Sequence, residues 1–226
     1  MDYREQDPPA ALQGLVKVRW TLAGNGAPDA WTEQQATPDG CVEIITRLAG
    51  RSRWGSEQPA RFAVGLIERP EGFEVSGDAR FTGLRLWPWA WALVGDRPLA
   101  DLAGRWQPFD GPEDIETRLA AAPDLAALGR DILTSNSVAG MCRATGMGPR
   151  ALQRWFASHV GVPPRRYLRL LRFQSAFAGV PDQTSLAGHA AEQGFADQAH
   201  MAREFRALAG VSAKAARRTA RGPFLA

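Results

Sequence analysis

The length and composition of the chain limit the kind of protein it can be. Its 226 residues carry a formal net charge of +3 and are 45% hydrophobic, which suffices for one large domain or two small ones. Two cysteines, Cys41 and Cys142, exclude a disulfide framework or a zinc-thiolate cluster and favour a reducing compartment. The N-terminus lacks a signal pattern, and the longest apolar run, 86–95, is half a bilayer span. We therefore expect a soluble cytoplasmic protein without a membrane partner.

The charge is divided unevenly along the chain. Residues 134–226 contain 13 basic and four acidic side chains, a net of +9, whereas residues 1–133 have a net of −6. No acidic residue lies between Asp131 and Asp182, although seven arginines do. The sequence therefore predicts a domain boundary near Pro123. Residues 123–226 would form a polyanion-binding domain, and residues 1–122 would form a separate domain of another kind.

Alternating apolar and polar residues predict short β-strands in the first domain. Val16, Val18, Trp20 and Leu22 recur with a period of two, which is typical of a half-buried strand. Further strands are predicted at 41–48, 61–67, 72–75 and 79–86, with loops at 1–10 and 51–60. Short helices are predicted after Pro88 and within 111–122. This pattern indicates a strand-rich α+β domain.

The second domain shows helical patterns throughout. Helices are predicted at 124–133, 138–145 and 163–177, with others starting at Pro149 and near Ser185. The predicted class of residues 123–226 is therefore all-α.

The segment 145–156 has the chemistry of a DNA-reading helix. Gly146 is suited to end one helix and Pro149 to begin the next. On a helical wheel Leu152, Trp155 and Phe156 share one face, and the opposite face carries the polar residues Arg150, Gln153 and Arg154. Arginine offers paired donors to guanine, and glutamine offers a donor and an acceptor to adenine. The alternative is an ordinary amphipathic helix with a solvated polar side.

A second copy of this pattern follows downstream. An apolar residue lies eight positions before both Gly146 and Gly194, and a phenylalanine follows ten or eleven positions later, at Phe156 and Phe205. A Gly-Val pair comes five residues after each phenylalanine. Internal repetition is evidence about architecture, and it predicts two helix-turn-helix units.

With both units in place, residues 124–218 resemble the DNA-binding domain of the AraC/XylS family of bacterial transcription regulators. The densest matches are LQRWFASHVGVPPRRYLRLLR and GFADQAHMAREFRALAGVS. The resemblance implies two helix-turn-helix units joined by a long helix, and recognition helices in two successive major grooves of double-stranded DNA. The positions that it assigns to base contacts are Arg150, Gln153, Arg154, Gln198, Ala199, His200 and Arg203.

The second domain departs from the family pattern at some positions, and the first domain shows a weaker resemblance of its own. Gly148 stands where a capping serine is common, while Asp197 suits the N-cap of the second recognition helix. The closing Ser-Pro-x-x-Tyr-Arg of the family is replaced by residues 212–217, without its proline and tyrosine. The first domain resembles short sensor-like domains through a PDG-x-V-E stretch at 38–43, and it lacks the clustered histidines of the sugar-binding cupin barrel.

Arginines of the long predicted helix are candidates for DNA phosphate contacts. Arg165, Arg166 and Arg169 recur at helical spacing, followed by Arg172, and no acid lies nearby in the sequence to pair with them. The alternative is a solvated face with some salt bridges.

Tryptophans are concentrated in the first domain, where they suggest two interpretations. Trp87, Trp89 and Trp91 alternate about Pro88, and they fill the core of a small domain in one interpretation. In the other they line a pocket for a small aromatic or apolar effector, with Arg85 or Glu43 supplying a polar group.

These patterns predict a sequence-specific DNA-binding transcription regulator, modulated by an effector in its first domain. RNA polymerase is an expected partner of an activator, and a homodimer is an expected assembly. One alternative is a constitutive regulator whose first domain only scaffolds or dimerises. Another is an enzyme, but no catalytic residues, metal site or cofactor motif are predicted, and Cys41 is best interpreted as a structural thiol.

Overall fold

A computed structural model describes residues 1–95, 97–179, 185–221 and 224–225. The strands are β1 (Asp2–Gln6), β2 (Val16–Ala23), β3 (Trp31–Ala36), β4 (Val42–Ala49), β5 (Ser52–Trp54), β6 (Ser56–Glu57), β7 (Arg61–Val64), β8 (Glu71–Ser76), β9 (Arg80–Leu86), β10 (Trp106–Pro108), β11 (Ala220–Arg221) and β12 (Phe224–Leu225). The helices are α1 (Ile115–Ala120), α2 (Pro123–Leu133), α3 (Val138–Thr145), α4 (Pro149–His159), α5 (Pro164–Gly179), α6 (Leu186–Glu192), α7 (Gln198–Ala209) and α8 (Ala213–Thr219). Among the described residues, no helix has the length and apolar character that a membrane span requires.

The strands form two antiparallel sheets that face each other. The first sheet has the order β1-β2-β9-β4-β7-β10, and the second has the order β11-β12-β3-β8-β5-β6. The alternation in β2 buries Val18, Trp20 and Leu22 between the sheets, where they join Phe62 of β7 and Val75 of β8 in one hydrophobic cluster. The period of two in the sequence therefore marks the face that the two sheets share.

The opposite face of the first sheet packs against helices. Val42 and Ile44 of β4 and Leu86 of β9 belong to a hydrophobic core that continues into α4, α5 and α7. The first sheet is thus a middle layer, which contacts the second sheet on one face and the helices on the other.

The 3-10 helix Pro88–Leu93 brings Trp89 between the sheet and the helical region. The Trp89 ring centroid lies 6.1 Å from that of Trp155 on α4 and 6.0 Å from that of Tyr167 on α5. Its indole N–H donates to the backbone carbonyl of Gly14 at 2.6 Å. The predicted boundary at Pro123 coincides with the start of α2, but the hydrophobic core is continuous across it.

Several segments predicted as loose or looped are strands. Residues 2–6 form β1, which pairs with β2, and residues 52–57 contain the hairpin β5–β6. These strands are short or lie at a sheet edge and keep polar side chains, so they lack the apolar alternation that marks β2. The sequence also does not predict β10, another edge strand, or β3, which lies between β12 and β8 but keeps polar side chains that are not fully buried.

The C-terminal residues return to the N-terminal sheet. The chain after α8 forms β11 and β12, and β12 pairs antiparallel with β3 through Phe224 opposite Ala36 and Leu225 opposite Gln35. The second sheet is therefore completed by residues from the far end of the chain.

Candidate functional sites

The first helix-turn-helix unit consists of α3 and α4. Ser137 caps α3, since its Oγ accepts from the backbone N–H of Gly140 at 3.0 Å. Gly146 ends the helix with φ of 68°, in the left-handed region that favours glycine. Leu152 and Phe156 of α4 are buried in the core. The tight turn fixes α4 against α3, so that one face of α4 stays free.

The free face of α4 carries the residues predicted to read bases. Arg150, Gln153 and Arg154 are all exposed, and Trp155 lies half-buried beside them. Gly148 precedes the helix without a side-chain cap, as expected from its lack of a side chain. The structure therefore brings these three polar side chains together on one surface of α4.

The second unit, α6 and α7, repeats this construction. Asp197 caps α7 by accepting from the backbone N–H of His200 at 2.5 Å, which confirms the predicted N-cap. Phe205 of α7 packs on Phe173 of α5, with ring centroids 5.4 Å apart. These contacts anchor the buried side of α7 on the long helix.

The predicted base-reading residues of α7 differ in how exposed their side chains are. Gln198, Ala199 and Arg203 are exposed, whereas His200 is half-buried against Phe195 at 5.4 Å between ring centroids. His200 Nδ1 lies 3.2 Å from the backbone N–H of Ala196 and accepts from it, which leaves Nε2 as the ring donor. His200 therefore offers one fixed donor at the start of α7.

The three alternating tryptophans lie between the first sheet and the helices. Trp89 is 0% exposed and Trp91 is 2% exposed, and Trp87 is half-buried against Trp89 at 6.0 Å between ring centroids. Trp91 donates from its indole N–H to the carbonyl of Arg97 at 2.9 Å. The 3-10 helix directs these rings into the core between the first sheet and the helices, so they match the core interpretation.

Arg85, the polar residue proposed beside that pocket, is the centre of a buried ionic cluster. Its guanidinium contacts carboxylates at 2.5 Å for Glu43, 2.9 Å for Asp39 and 2.8 Å for Glu5. Burial raises the pKa of Glu43, an effect that Asp39 reinforces and Arg85 opposes. Burial acts to lower the pKa of Arg85, but Glu43 and Asp39 outweigh it and hold that pKa well above its usual range. Arg85 is therefore committed to this cluster.

The ionic cluster adjoins the contact between the two regions. Tyr167 of α5 donates from its hydroxyl to the carbonyl of Gly40 at 3.1 Å, beside Asp39. Gly40 has φ of 72°, in the left-handed region, so glycine suits this turn beside the Tyr167 ring. Burial raises the pKa of the Cys41 thiol well above its usual value, which is consistent with a structural thiol.

A cavity lies elsewhere, between the two sheets. Its volume is about 80 Å³. The residues that line it come from both sheets: Trp20, Leu22, Ala36, Glu43, Ile45, Ser52, Trp54, Gln58, Phe62, Val64, Phe73, Val75 and Phe81. Of the residues proposed for an effector, Glu43 lies on this wall, whereas Arg85 and the three tryptophans of 87–91 are not among the described residues that line it.

Two family models match the chain, one on each side of the predicted boundary. Residues 141–219 match a helix-turn-helix domain, and residues 4–107 match a domain of unknown function (DUF6597). The C-terminal region is an AraC-type helix-turn-helix domain. No curated protein sequence matches the chain.

Solved structures of ToxT from Vibrio cholerae are also similar to the chain. One ToxT structure shares 8% identity with a TM-score of 0.42, over 94% of this chain and 96% of that one. Wild-type ToxT bound to an unsaturated fatty acid shares 10% identity with a TM-score of 0.42, over 85% of this chain and 91% of that one.

The AraC-type domain carries an arginine-lined groove between its two units. The groove has a volume of about 680 Å³ and includes Arg165, Arg166, Arg169, Arg172 and His200. The expectation that these arginines lack acidic neighbours does not hold in three dimensions. Arg169 contacts Glu204 of α7 at 2.6 Å, and Arg166 forms an ion pair with Glu68 of the N-terminal region.

The other two arginines of this groove, Arg172 and Arg165, have different surroundings from Arg166 and Arg169. Arg172 lies with its guanidinium carbon 6.0 Å from the centroid of the Phe195 ring. Arg165 is exposed and has no ion-pair partner within the part of the chain that the structure describes. Arg165 is thus the arginine of α5 with its charge most available to a phosphate.

Proposed function

We propose that this DNA-binding transcription regulator reads two successive major grooves with α4 and α7, and that its N-terminal sheets hold a small-molecule effector. The observation that carries the first part is the repeated construction of the two units. Each anchors one face of its second helix and leaves polar side chains exposed on the other. Recognition helices of paired units enter major grooves about 34 Å apart, one turn of the duplex.

The polar and small side chains of these helices and of α5 divide by chemistry into base readers and phosphate contacts. The base readers are Arg150, Gln153, Arg154, Gln198, Ala199, His200 and Arg203. Arginine and glutamine match the donor and acceptor patterns of guanine and adenine, and the small Ala199 suits an apolar contact with thymine. Arg165 contacts phosphate, because its free charge faces the groove between the units.

Arg166 and Arg169 have a different role in this proposal. Glu204 neutralises Arg169 within the AraC-type domain and fixes α5 against α7. Glu68 neutralises Arg166 from the N-terminal region, so that docking of this region sets whether Arg166 is available to DNA. The N-terminal region thereby acts on DNA affinity through charge as well as through packing.

A continuous set of contacts leads from the cavity to α4. Glu43 lines the cavity and contacts Arg85, which contacts Asp39 beside Gly40. Tyr167 binds Gly40 and packs on Phe156 of α4, with ring centroids 5.7 Å apart. An effector that moves Glu43 would act on the recognition helix through this set, which is a physical connection whose coupling must be measured.

The proposal is tested with the full-length protein and a randomised pool of DNA duplexes. Arg154→Ala should cost about 1–3 kcal/mol at the selected site and relax base preference at one position. Arg165→Ala should weaken binding to all sequences about equally and flatten the dependence of affinity on salt between ~50 and ~200 mM.

Arg105→Ala is the matched control for loss of one positive charge, since Arg105 is exposed and directly precedes β10, the edge strand of the first sheet. It should leave base preference and salt dependence unchanged. If Arg154→Ala and Arg165→Ala behave alike, the division into base and phosphate contacts fails. If neither differs from the control, α4 is not the reading helix.

A further inference from the structure

The cavity between the sheets combines an apolar wall with unsatisfied polar atoms. Trp20 Nε1, Ser52 Oγ and Gln58 Oε1 all belong to residues that line it, and none has a hydrogen-bond partner among the residues that the structure describes. The three residues are 5%, 4% and 4% exposed. Buried polar groups without partners cost free energy, and native proteins contain few of them.

The three atoms come from opposite walls. Trp20 belongs to β2 of the first sheet, and its ring packs over Gly83 of the neighbouring β9. Ser52 and Gln58 lie opposite each other at the base of the β5–β6 hairpin, where the Gln58 backbone N–H donates to the Ser52 carbonyl at 3.0 Å. One small molecule between the sheets is therefore placed to reach a donor on one side and an acceptor on the other.

Other buried or half-buried tryptophans in the same region do have partners. Trp89 donates to Gly14, Trp91 to Arg97 and Trp106 to Trp54, each at a backbone carbonyl 2.6 to 2.9 Å away. The fold thus satisfies an indole N–H where the ring only fills the core. The Trp20 N–H differs because it belongs to a residue of the cavity wall and has no hydrogen-bond partner among the described residues, which is the arrangement expected of a binding site.

The chemistry of the wall selects the charge of the ligand. The carboxylate of Glu43 lies on the wall, and the neighbouring Arg85 guanidinium is already held by Glu43, Asp39 and Glu5. An anionic ligand would meet a carboxylate with no uncommitted cation among the described residues of the wall. A neutral ligand avoids that repulsion and the loss of its own hydration.

We propose that this cavity binds a small neutral alcohol whose hydroxyl accepts from Trp20 Nε1 and donates to Gln58 Oε1, with its carbon chain against the aromatic wall. Since a 150 Å³ cavity accommodates benzene, a cavity of about 80 Å³ suits a ligand of roughly three to five heavy atoms. This inference rests on the proposed function in one respect, which is that the alcohol is the effector of the regulator.

The test uses full-length protein labelled with nitrogen-15 and three probes of similar size: 1-butanol, its isomer diethyl ether and butyrate. The indole N–H signal of Trp20, identified by its loss in Trp20→Phe, should shift saturably with 1-butanol. Diethyl ether lacks the donor and should bind at least about 5-fold more weakly, and butyrate should cause no shift. The absence of a saturable shift with 1-butanol, as in a cavity that holds only water, would overturn the proposal. So would equal binding of ether or of butyrate.

The substitution Gln58→Met tests whether the Gln58 amide binds the ligand or only supports the fold. It keeps the length of the side chain and removes the unsatisfied acceptor, so it should raise the melting temperature without ligand and weaken 1-butanol binding at least about tenfold. Gln6→Met, on the exposed face of edge strand β1, is the control and should change neither quantity. If Gln58→Met lowers the melting temperature and leaves 1-butanol affinity unchanged, the amide is structural and the proposal fails.

Affinity for the selected DNA, measured with and without 1-butanol, distinguishes the claim that the cavity binds an alcohol from the claim that the alcohol is the effector. A change in DNA affinity that disappears in Gln58→Met supports both the site and its role as the effector site. A saturable shift at Trp20 with unchanged DNA affinity would uphold the alcohol site and overturn the effector role. Loss of DNA binding altogether would contradict the proposed function and leave the alcohol titration to decide the site.

Discussion

The two faces of the first sheet are both buried, but the tryptophans on them differ in their hydrogen bonding. On the face toward the helices, Trp89 and Trp91 are buried and their indole N–H groups are hydrogen-bonded. On the face toward the second sheet, Trp20 is buried with an unsatisfied N–H beside a cavity of about 80 Å³. The two faces therefore differ in whether the indole N–H groups buried on them are hydrogen-bonded.

The difference matters because one sheet connects the two environments. The helix-facing side contacts α4 and α5 of the AraC-type domain, and the cavity-facing side carries Glu43 of the ionic cluster. A tightly packed interior transmits small displacements, since it has few voids that absorb them. The following predictions test whether the two faces differ in this way.

The largest effect is expected for Trp89→Ala on the helix-facing side. Loss of this ring removes contacts with Trp155 and Tyr167 and should lower the free energy of unfolding by about 3–5 kcal/mol. The comparison substitution at the cavity, Trp54→Ala on β5 of the second sheet, removes a half-buried ring and should cost less than half as much. Urea denaturation of both variants measures the comparison, which breaks down if the two costs are equal.

Arg85→Met should have the next largest effect. The substitution keeps the apolar stem and leaves three carboxylates without their shared cation, at a cost of about 3 kcal/mol or more. Thermal melts at neutral pH measure the loss. Because the three carboxylates then repel one another, part of the lost stability should return as the pH is lowered and they become protonated. A melting temperature equal to that of the wild type would contradict the assigned role of the cluster.

A smaller effect is expected for Tyr167→Phe at the contact between the regions. Removal of the hydroxyl deletes the hydrogen bond to the Gly40 carbonyl and should cost about 0.5–1.5 kcal/mol, while the ring keeps its packing on Trp89. If this bond couples the cavity to α4, the effect of a cavity ligand on DNA affinity should also decrease. Unchanged coupling would show that the signal travels by another route.

The smallest effect concerns Glu43→Gln, which mimics the protonated form of this carboxyl. The pKa of Glu43 is raised in the folded protein above its unfolded value of 4.5, so the stability that its proton contributes is present at low pH and lost as the pH rises through the folded pKa. The variant should therefore gain stability relative to the wild type near pH 7, and the gain should vanish near pH 4. A gain that is independent of pH would contradict the raised pKa.

The sequence determined the helical region well, for a local reason. The turn at Gly146, the cap at Asp197 and the apolar faces of α4 and α7 are encoded within a few residues of where they act. Local backbone preference and helical periodicity suffice to predict such units, and their repetition along the chain confirms the pattern. The exposure of Arg150, Gln153 and Arg154 follows from the same periodicity.

Only the tertiary structure decided which residues meet across the chain. Glu68 and Glu204 pair with Arg166 and Arg169, although no acid is near these arginines in sequence. The wall of the cavity combines Trp20 with Ser52 and Gln58 from a segment whose composition indicated a loop. The strand β12 joins β3 from the opposite end of the chain. Such contacts depend on how strands pair and layers stack, and the composition of a segment does not encode its partner, because one apolar or charged side chain fits many neighbours.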